Sequence, residues 1–170
     1  LVSLPSHLSA VALGVGESHT CAIMQNSSLW CWGNDASGGL SYEDDDQTKD
    51  QLFPVKSTTP TQKVRAVAAG NQFTCIISYD YTVWCVGQNS AGQLGDSSTT
   101  NRHSFVQTNI PSSSRAIDLD AGLRHACVLL ESTEVWCWGD GSSGRLGDYN
   151  TTSRTSPVLV QSIPSNNTIV

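Results

Sequence analysis

Apolar and polar positions along this chain change over too quickly for helices. Runs such as "AVALGV", "VRAVAAG" and "AIDLDAG" are broken by Gly, Ser, Thr, Asn or Asp before any i, i+3, i+4 apolar stripe can build. The pattern predicts essentially no helix and, three times over, the same order of β-elements. A short β-rich run is followed by a hairpin, "HTCAIMQNSSLWCWG" from His19, "FTCIISYDYTVWCVG" from Phe73 and "HACVLLESTEVWCWG" from His125. A Gly-rich turn and a polar loop then lead to "FPVKS", "SFVQT" or "SPVLVQ", which makes about four strands per unit. Within "LWCWG", Cys31 shares a strand face with Leu29 while Trp30 and Trp32 point the other way, and Val135, Trp136, Cys137 and Trp138 repeat the arrangement. Both faces are apolar, as expected of a sheet packed between two neighbours.

The repeats share a longer frame. Gly16, Gly70 and Gly122 sit five residues before the first cysteine of each unit, and Gly33, Gly87 and Gly139 sit two after the second. Gly38, Gly92 and Gly144 follow, then Leu40, Leu94 and Leu146, then Gly95-Asp96 and Gly147-Asp148, where the first unit has Ser41 in place of the glycine. First cysteines at 21, 75 and 127 give periods of 54 and 52 residues, the length of a four-strand unit. The frame predicts the end of a preceding repeat at 1–9, repeats at 10–63, 64–115 and 116–163, and the start of a further one at 164–170. Pro5, Pro60, Pro111 and Pro164 punctuate it at comparable phase.

The motifs "GESHTCAIMQNSSLWCWGNDASGGL", "GNQFTCIISYDYTVWCVGQNSAGQLGD" and "GLRHACVLLESTEVWCWGDGSSGRLGD" resemble the regulator-of-chromosome-condensation repeat, over nearly the whole chain. The resemblance implies an all-β fold of propeller blades, each about four antiparallel strands. Three repeats imply a partial propeller, or an open array whose raw blade faces are covered by copies of itself. Phe73 replaces His in the second copy and Val86 replaces the second Trp. Family members inside cells do not typically carry paired cysteines at these positions, so the chain reads as a disulfide-bearing extracellular variant.

With a hairpin turn centred near Asn26, Cys21 faces Cys31 across two antiparallel strands. The same holds for Cys75 with Cys85 and Cys127 with Cys137. Six cysteines allow 15 pairings, and the triplicated local pair favours the three within-repeat disulfides. The rival chemistries are weaker fits. Structural zinc sites use short C-x2-4-C knuckles, and redox thiols sit in C-x-x-C or at helix starts.

Disulfides persist outside the reducing cytosol, which predicts an extracellular or cell-surface setting. The compartment gives meaning to the sequons Asn26-Ser-Ser, Asn150-Thr-Thr and Asn166-Asn-Thr, candidate N-glycosylation sites in predicted turns and loops. The Ser/Thr-rich loops "KSTTPT", "DSSTTN" and "NTTSRTS" suit O-linked sugars or plain solvation equally.

Composition narrows the function. At 170 residues, 38% hydrophobic and 14% charged, the chain buries a core; its net charge of −6 argues against binding nucleic acid. No apolar stretch reaches the roughly 18 residues of a spanning helix, so no membrane insertion is expected, and "LVSLPSHLSA" lacks the form of a signal peptide. No nucleophile elbow or cofactor motif stands near His7 or His103, while His19 and His125 recur at one repeat position, which points to blade support. No enzyme activity and no cofactor are therefore expected. The loop holding Glu43, Asp44, Asp45, Asp46 and Asp50 is some three residues longer than its counterparts and suits either calcium or solvation. The sequence thus favours a glycosylated extracellular structural or adhesive module that associates with other proteins or copies of itself. The alternatives are a secreted propeller that binds one protein through Tyr42, Tyr79, Tyr81 and Tyr149, and an intracellular guanine-nucleotide exchange factor.

Overall fold

A computed structural model describes residues 9–42, 49–111 and 113–161. Twelve strands form three antiparallel four-stranded sheets, each in sequence order. Blade 1 holds β1 (Ala10–Val15), β2 (His19–Met24), β3 (Leu29–Gly33) and β4 (Gln51–Lys56). Blade 2 holds β5 (Val64–Ala69), β6 (Phe73–Ser78), β7 (Val83–Gly87) and β8 (Arg102–Gln107). Blade 3 holds β9 (Ala116–Ala121), β10 (His125–Leu130), β11 (Val135–Gly139) and β12 (Arg154–Leu159). The fold is the all-β blade architecture that the strand pattern predicts. One short 3-10 turn, Ser142–Gly144, is the exception to the helix-free reading among the described residues.

The blades stack because both sheet faces are apolar. Cys21, Ile23, Leu29 and Cys31 of blade 1 share a buried cluster with Val64, Val67 and Ile76 of blade 2. Cys75, Ile77, Val83 and Cys85 of blade 2 share the next with Leu119, Val128 and Trp138 of blade 3. The cysteine face of each blade therefore looks to the blade that follows, and the tryptophan face looks back.

The recurrent glycine before the hairpin has a steric cause. A Cβ on Gly16 would stand 2.4 Å from the Gly70 carbonyl oxygen, and one on Gly70 would stand 2.6 Å from that of Gly122. Consecutive blades thus touch backbone to backbone at this position, and a side chain there would force them apart.

Among the described residues the outer faces of blades 1 and 3 are uncovered. Val11, Leu13 and Val15 on β1 are 61%, 62% and 69% exposed, whereas Val67 and Leu119, the counterparts of Leu13 in blades 2 and 3, are 9% and 7% exposed. At the other end Cys127, Leu129 and Val135 are half-buried, where their counterparts in blades 1 and 2 are fully buried.

Candidate functional site

Each hairpin sets its two cysteines directly opposite one another, Cys21 with Cys31, Cys75 with Cys85 and Cys127 with Cys137. The Cα atoms are 4.1 Å apart in all three pairs, near the ~4.5 Å of a non-hydrogen-bonded antiparallel pair, and each pair is joined as a disulfide. The first two disulfides lie inside the seams between blades: Cys21, Cys31, Cys75 and Cys85 are all 0% exposed, whereas Cys127 is half-buried on the outer face of blade 3. Among the described residues no cysteine is free and no three His, Cys, Asp or Glu side chains group to hold a metal.

His19 spans the first seam. Its Nε2 lies 2.8 Å from Thr74 Oγ1, and the Thr74 hydroxyl donates to the Gly39 carbonyl at 2.8 Å. With that single hydroxyl proton committed, the imidazole must donate from Nε2, which leaves Nδ1 buried without a partner. Burial alone pushes the His19 pKa down to about 4. The repeated histidine thus supports the blade stack, bonding the neighbouring strand β6.

The second seam exchanges this whole arrangement. Phe73 stands for His19, and the cross-strand pair Thr74 and Val86 becomes Ala126 and Trp138. Trp138 Nε1 donates to the Gln93 carbonyl at 2.8 Å, the repeat counterpart of the Gly39 carbonyl that Thr74 serves in the first seam. Among the described residues no blade follows His125; its Nδ1 is likewise buried and unpartnered, and burial followed by the Arg145 charge lowers its pKa. His103 is exposed and packs over Gly38, and His7 lies outside the described residues.

The Gly-x-Leu turns are held by a polar scheme that the sequence did not signal. Asp35 Oδ1 accepts from the Leu40 amide at 2.8 Å and Asn89 Oδ1 from the Leu94 amide at 3.0 Å. Arg102 pairs with Asp96 at 2.9 Å and Arg154 with Asp148 at 2.6 Å, tying each turn to its outer strand. In blade 1 the same two positions hold Tyr42 and Gln51, and Gln51 Nε2 lies 2.6 Å from the Tyr42 hydroxyl. Asp35 is 2% exposed; burial, with a smaller push from Asp50, raises its pKa to about 7 against the Leu40 hydrogen bond.

Asn26 and Asn150 are both exposed. Their Oδ1 atoms are held by the sequon itself. Asn26 Oδ1 accepts from the Ser28 amide and hydroxyl at 3.1 and 2.7 Å. Asn150 Oδ1 accepts from the Thr152 amide and hydroxyl at 3.0 and 2.8 Å. Asn166 and the acidic residues Glu43, Asp44, Asp45 and Asp46 lie outside the described residues. Asp50 accepts from Asn34 Nδ2 and the Asp35 amide. The insertion is visible as a register difference: Gly33 pairs with Gln51, 18 positions on, whereas Gly87 pairs with Arg102 and Gly139 with Arg154, 15 on. Of the four loop tyrosines, Tyr79 and Tyr149 are exposed and Tyr81 is half-buried, but Tyr42 is 6% exposed, so it is part of the core and not of a binding rim.

Comparison with known proteins fits this geometry. A profile of the regulator of chromosome condensation (RCC1) repeat matches residues 10–38, 64–93 and 116–145, one span per hairpin, and a second profile of the repeat matches 26–77 and 133–170. The chain belongs to the RCC1 repeat family. It is 32% identical over 149 residues to the X-linked retinitis pigmentosa GTPase regulator of Canis lupus familiaris, covering 87% of this chain and 15% of that protein. Human WBSCR16 superposes with a TM-score of 0.79 at 18% identity, over 91% of this chain and 40% of that one. Prp20p from Saccharomyces cerevisiae, described with its binding to Gsp1p and histones, superposes with a TM-score of 0.75 at 17% identity, over 92% and 39%. These two structures share the RCC1 fold, and the chain spans less than half the length of each of the three.

Proposed function

We propose that this RCC1-repeat chain works outside the cytosol as a glycosylated structural or adhesive module, a stack of stapled blades that binds other proteins through its loops and open blade faces. The observation that carries the reading is the set of three disulfides, two buried in the seams and the third on the outer face of blade 3. A disulfide survives where the surroundings are oxidising, and repetition at one position in every blade argues for a selected staple. The fold by itself leaves the compartment open, since Prp20p, with the same blades, is described as binding Gsp1p and histones. Exposed Asn26 and Asn150, each with its amide nitrogen turned free of intramolecular hydrogen bonds, support sugar attachment. The bare apolar strip Val11, Leu13 and Val15 supports association. A side chain of this size gains about 1.5–3 kcal/mol on full burial, and blades 2 and 3 show the Leu13 position covered by another blade, as Val67 and Leu119. Such a cover comes from further blades or from a second copy, and the function is binding rather than catalysis.

The deciding experiment is peptide mass mapping without reduction, before and after deglycosylation. Linked Cys21–Cys31, Cys75–Cys85 and Cys127–Cys137 peptides, with sugar on Asn26, Asn150 or Asn166, are expected. Six free thiols on bare asparagines would overturn the reading and favour an intracellular exchange factor. A secreted single-target binder is a weaker alternative, because burial of Tyr42 breaks the tyrosine rim it requires.

A further inference from the structure

The chain is acidic, yet its second hairpin tip gathers cations. Arg65 and Arg115 both lie over the Tyr81 ring, with guanidinium carbons 4.4 and 4.7 Å from its centroid. Arg65 and Lys63 also lie over Tyr79, each at 5.6 Å. The result is a ladder Lys63, Tyr79, Arg65, Tyr81, Arg115 that crosses from blade 2 to the entrance of blade 3. All three cations are exposed. Among the described residues none of them has a carboxylate within ion-pair distance, whereas Arg102, Arg145 and Arg154 each pair with an aspartate. Asp80, seated between the two tyrosines, is spent on its own turn, where it accepts from Ser78 and from the Thr82 amide and hydroxyl.

The sequence has chosen this arrangement against its backbone. The third residue of each hairpin turn takes a positive φ, 66° at Ser27, 68° at Tyr81 and 70° at Thr133. A bulky aromatic is a costly occupant of that region, and at this hairpin-turn position only the second blade places one. With both guanidinium carbons within 5 Å of the ring centroid and neither arginine ion-paired among the described residues, their N–H groups are available for the two parallel hydrogen bonds by which arginine binds a carboxylate. A cleft of about 270 Å³ opens beside Tyr81 and Arg115, lined also by Asp80, Thr82, Gln107 and Ile110, with room for a neighbouring side chain.

We infer that the Arg65–Tyr81–Arg115 cluster is a docking surface for an acidic protein segment, whose carboxylates are gripped by the two guanidiniums and reinforced by Lys63. The inference rests on the protein-binding reading above, though not on its compartment.

Binding of a fluorescein-labelled hexaglutamate peptide to the oxidised chain, followed by anisotropy at two salt concentrations, tests it. Saturable, salt-sensitive binding is expected, with an affinity loss of at least about tenfold in Arg65→Ala/Arg115→Ala and a smaller loss in Arg65→Lys/Arg115→Lys, which keeps charge but loses the planar fork. Lys49→Ala/Lys56→Ala changes the net charge equally and is expected to bind as the parent does. Non-reducing circular dichroism checks that each variant keeps its sheets. Absence of peptide binding, or equal losses in the two alanine pairs, overturns the proposal. So does binding of a heparin oligosaccharide with no binding of the peptide, which would make the ladder a sulfated-glycan site. None of these results alters the disulfide and sugar map, so failure here is separable from failure of the extracellular reading.

Discussion

His19 donates from Nε2 to Thr74 Oγ1 across the first seam, at 2.8 Å, while the next seam fills the same two positions with Phe73 and Ala126. Polar meets polar at one boundary and apolar meets apolar at the other. The orphan that Ala126 would create is answered by Trp138, which reaches the Gln93 carbonyl in the place where Thr74 reaches Gly39. Thr74→Ala alone strands the His19 N–H and the Gly39 carbonyl and is expected to cost about 2 kcal/mol or more in urea unfolding. The triple change His19→Phe/Thr74→Ala/Val86→Trp rebuilds the second seam in the first and should recover most of that loss. A triple variant less stable than Thr74→Ala would mean that the two seams are not interchangeable.

Two buried groups of blade 1 titrate in opposite senses. The His19 pKa falls from 6.5 to about 4 on folding, so the unfolded chain binds more protons in that interval. Its contribution is complete above pH 6.5 and is lost as pH falls through 4, by roughly 3 kcal/mol. Asp35 rises from 3.8 to about 7, so the folded chain holds the extra proton. Its contribution is complete below pH 3.8 and is lost as pH rises through 7. Asp35→Asn, the residue blade 2 carries at Asn89, should leave stability near pH 4 little changed and raise it at pH 8. An unchanged urea midpoint at pH 8 would contradict the burial of an ionising Asp35.

The three disulfides close equal loops but sit in unequal surroundings. A ten-residue separation corresponds to roughly 3 kcal/mol of unfolded-state restriction for each. Cys75 and Cys85 are fully buried in the second seam, whereas Cys127 is half-buried on the open face of blade 3. Replacing Cys75 and Cys85 by alanine therefore removes packing as well as the link and is expected to lower Tm further than replacing Cys127 and Cys137. Equal losses would show that the seam packs no better around the second pair than the open face does around the third.

What the sequence disclosed and what it withheld follow from the range of the interactions. Strand order, hairpin register and cysteine pairing are local: a ten-position step across a tight turn leaves little choice of partner, and alternation assigns the faces. Phe73 for His and Val86 for Trp read as departures from the repeat because what matches them is remote or unmarked: Ala126, 53 positions on, faces Phe73 in the second seam, and Thr74, the cross-strand partner of Val86, serves the Gly39 carbonyl of the preceding blade. The cation ladder was equally hidden, since β5 pairing brings Lys63 and Arg65 to Tyr79 and Tyr81 within blade 2, and Arg115 joins them only when blade 3 follows. Tyr42 read as one of four rim tyrosines, although it stands where the two other repeats place Asp96 and Asp148.

That last substitution makes its own prediction. Asp96 with Arg102, and Asp148 with Arg154, tie turn to outer strand by ion pairs, and in blade 1 Tyr42 and Gln51 do it by a neutral hydrogen bond. The neutral pair suits its neighbours, since Asp35 and Asp50 stand close by, where blades 2 and 3 have Asn89 and Gly141 at the Asp35 position. Tyr42→Asp alone sets a third carboxylate in that corner without a cation and removes a buried ring, so it should be severely destabilising. Gln51→Arg alone removes the amide that bonds the Tyr42 hydroxyl, a smaller loss. Together they recreate the pair of the other blades, and the double variant is expected to exceed the sum of the single effects by about 1–2 kcal/mol of recovered stability, with the lost ring burial still uncompensated. Strict additivity in a double-mutant cycle would mean that the two positions act independently in blade 1.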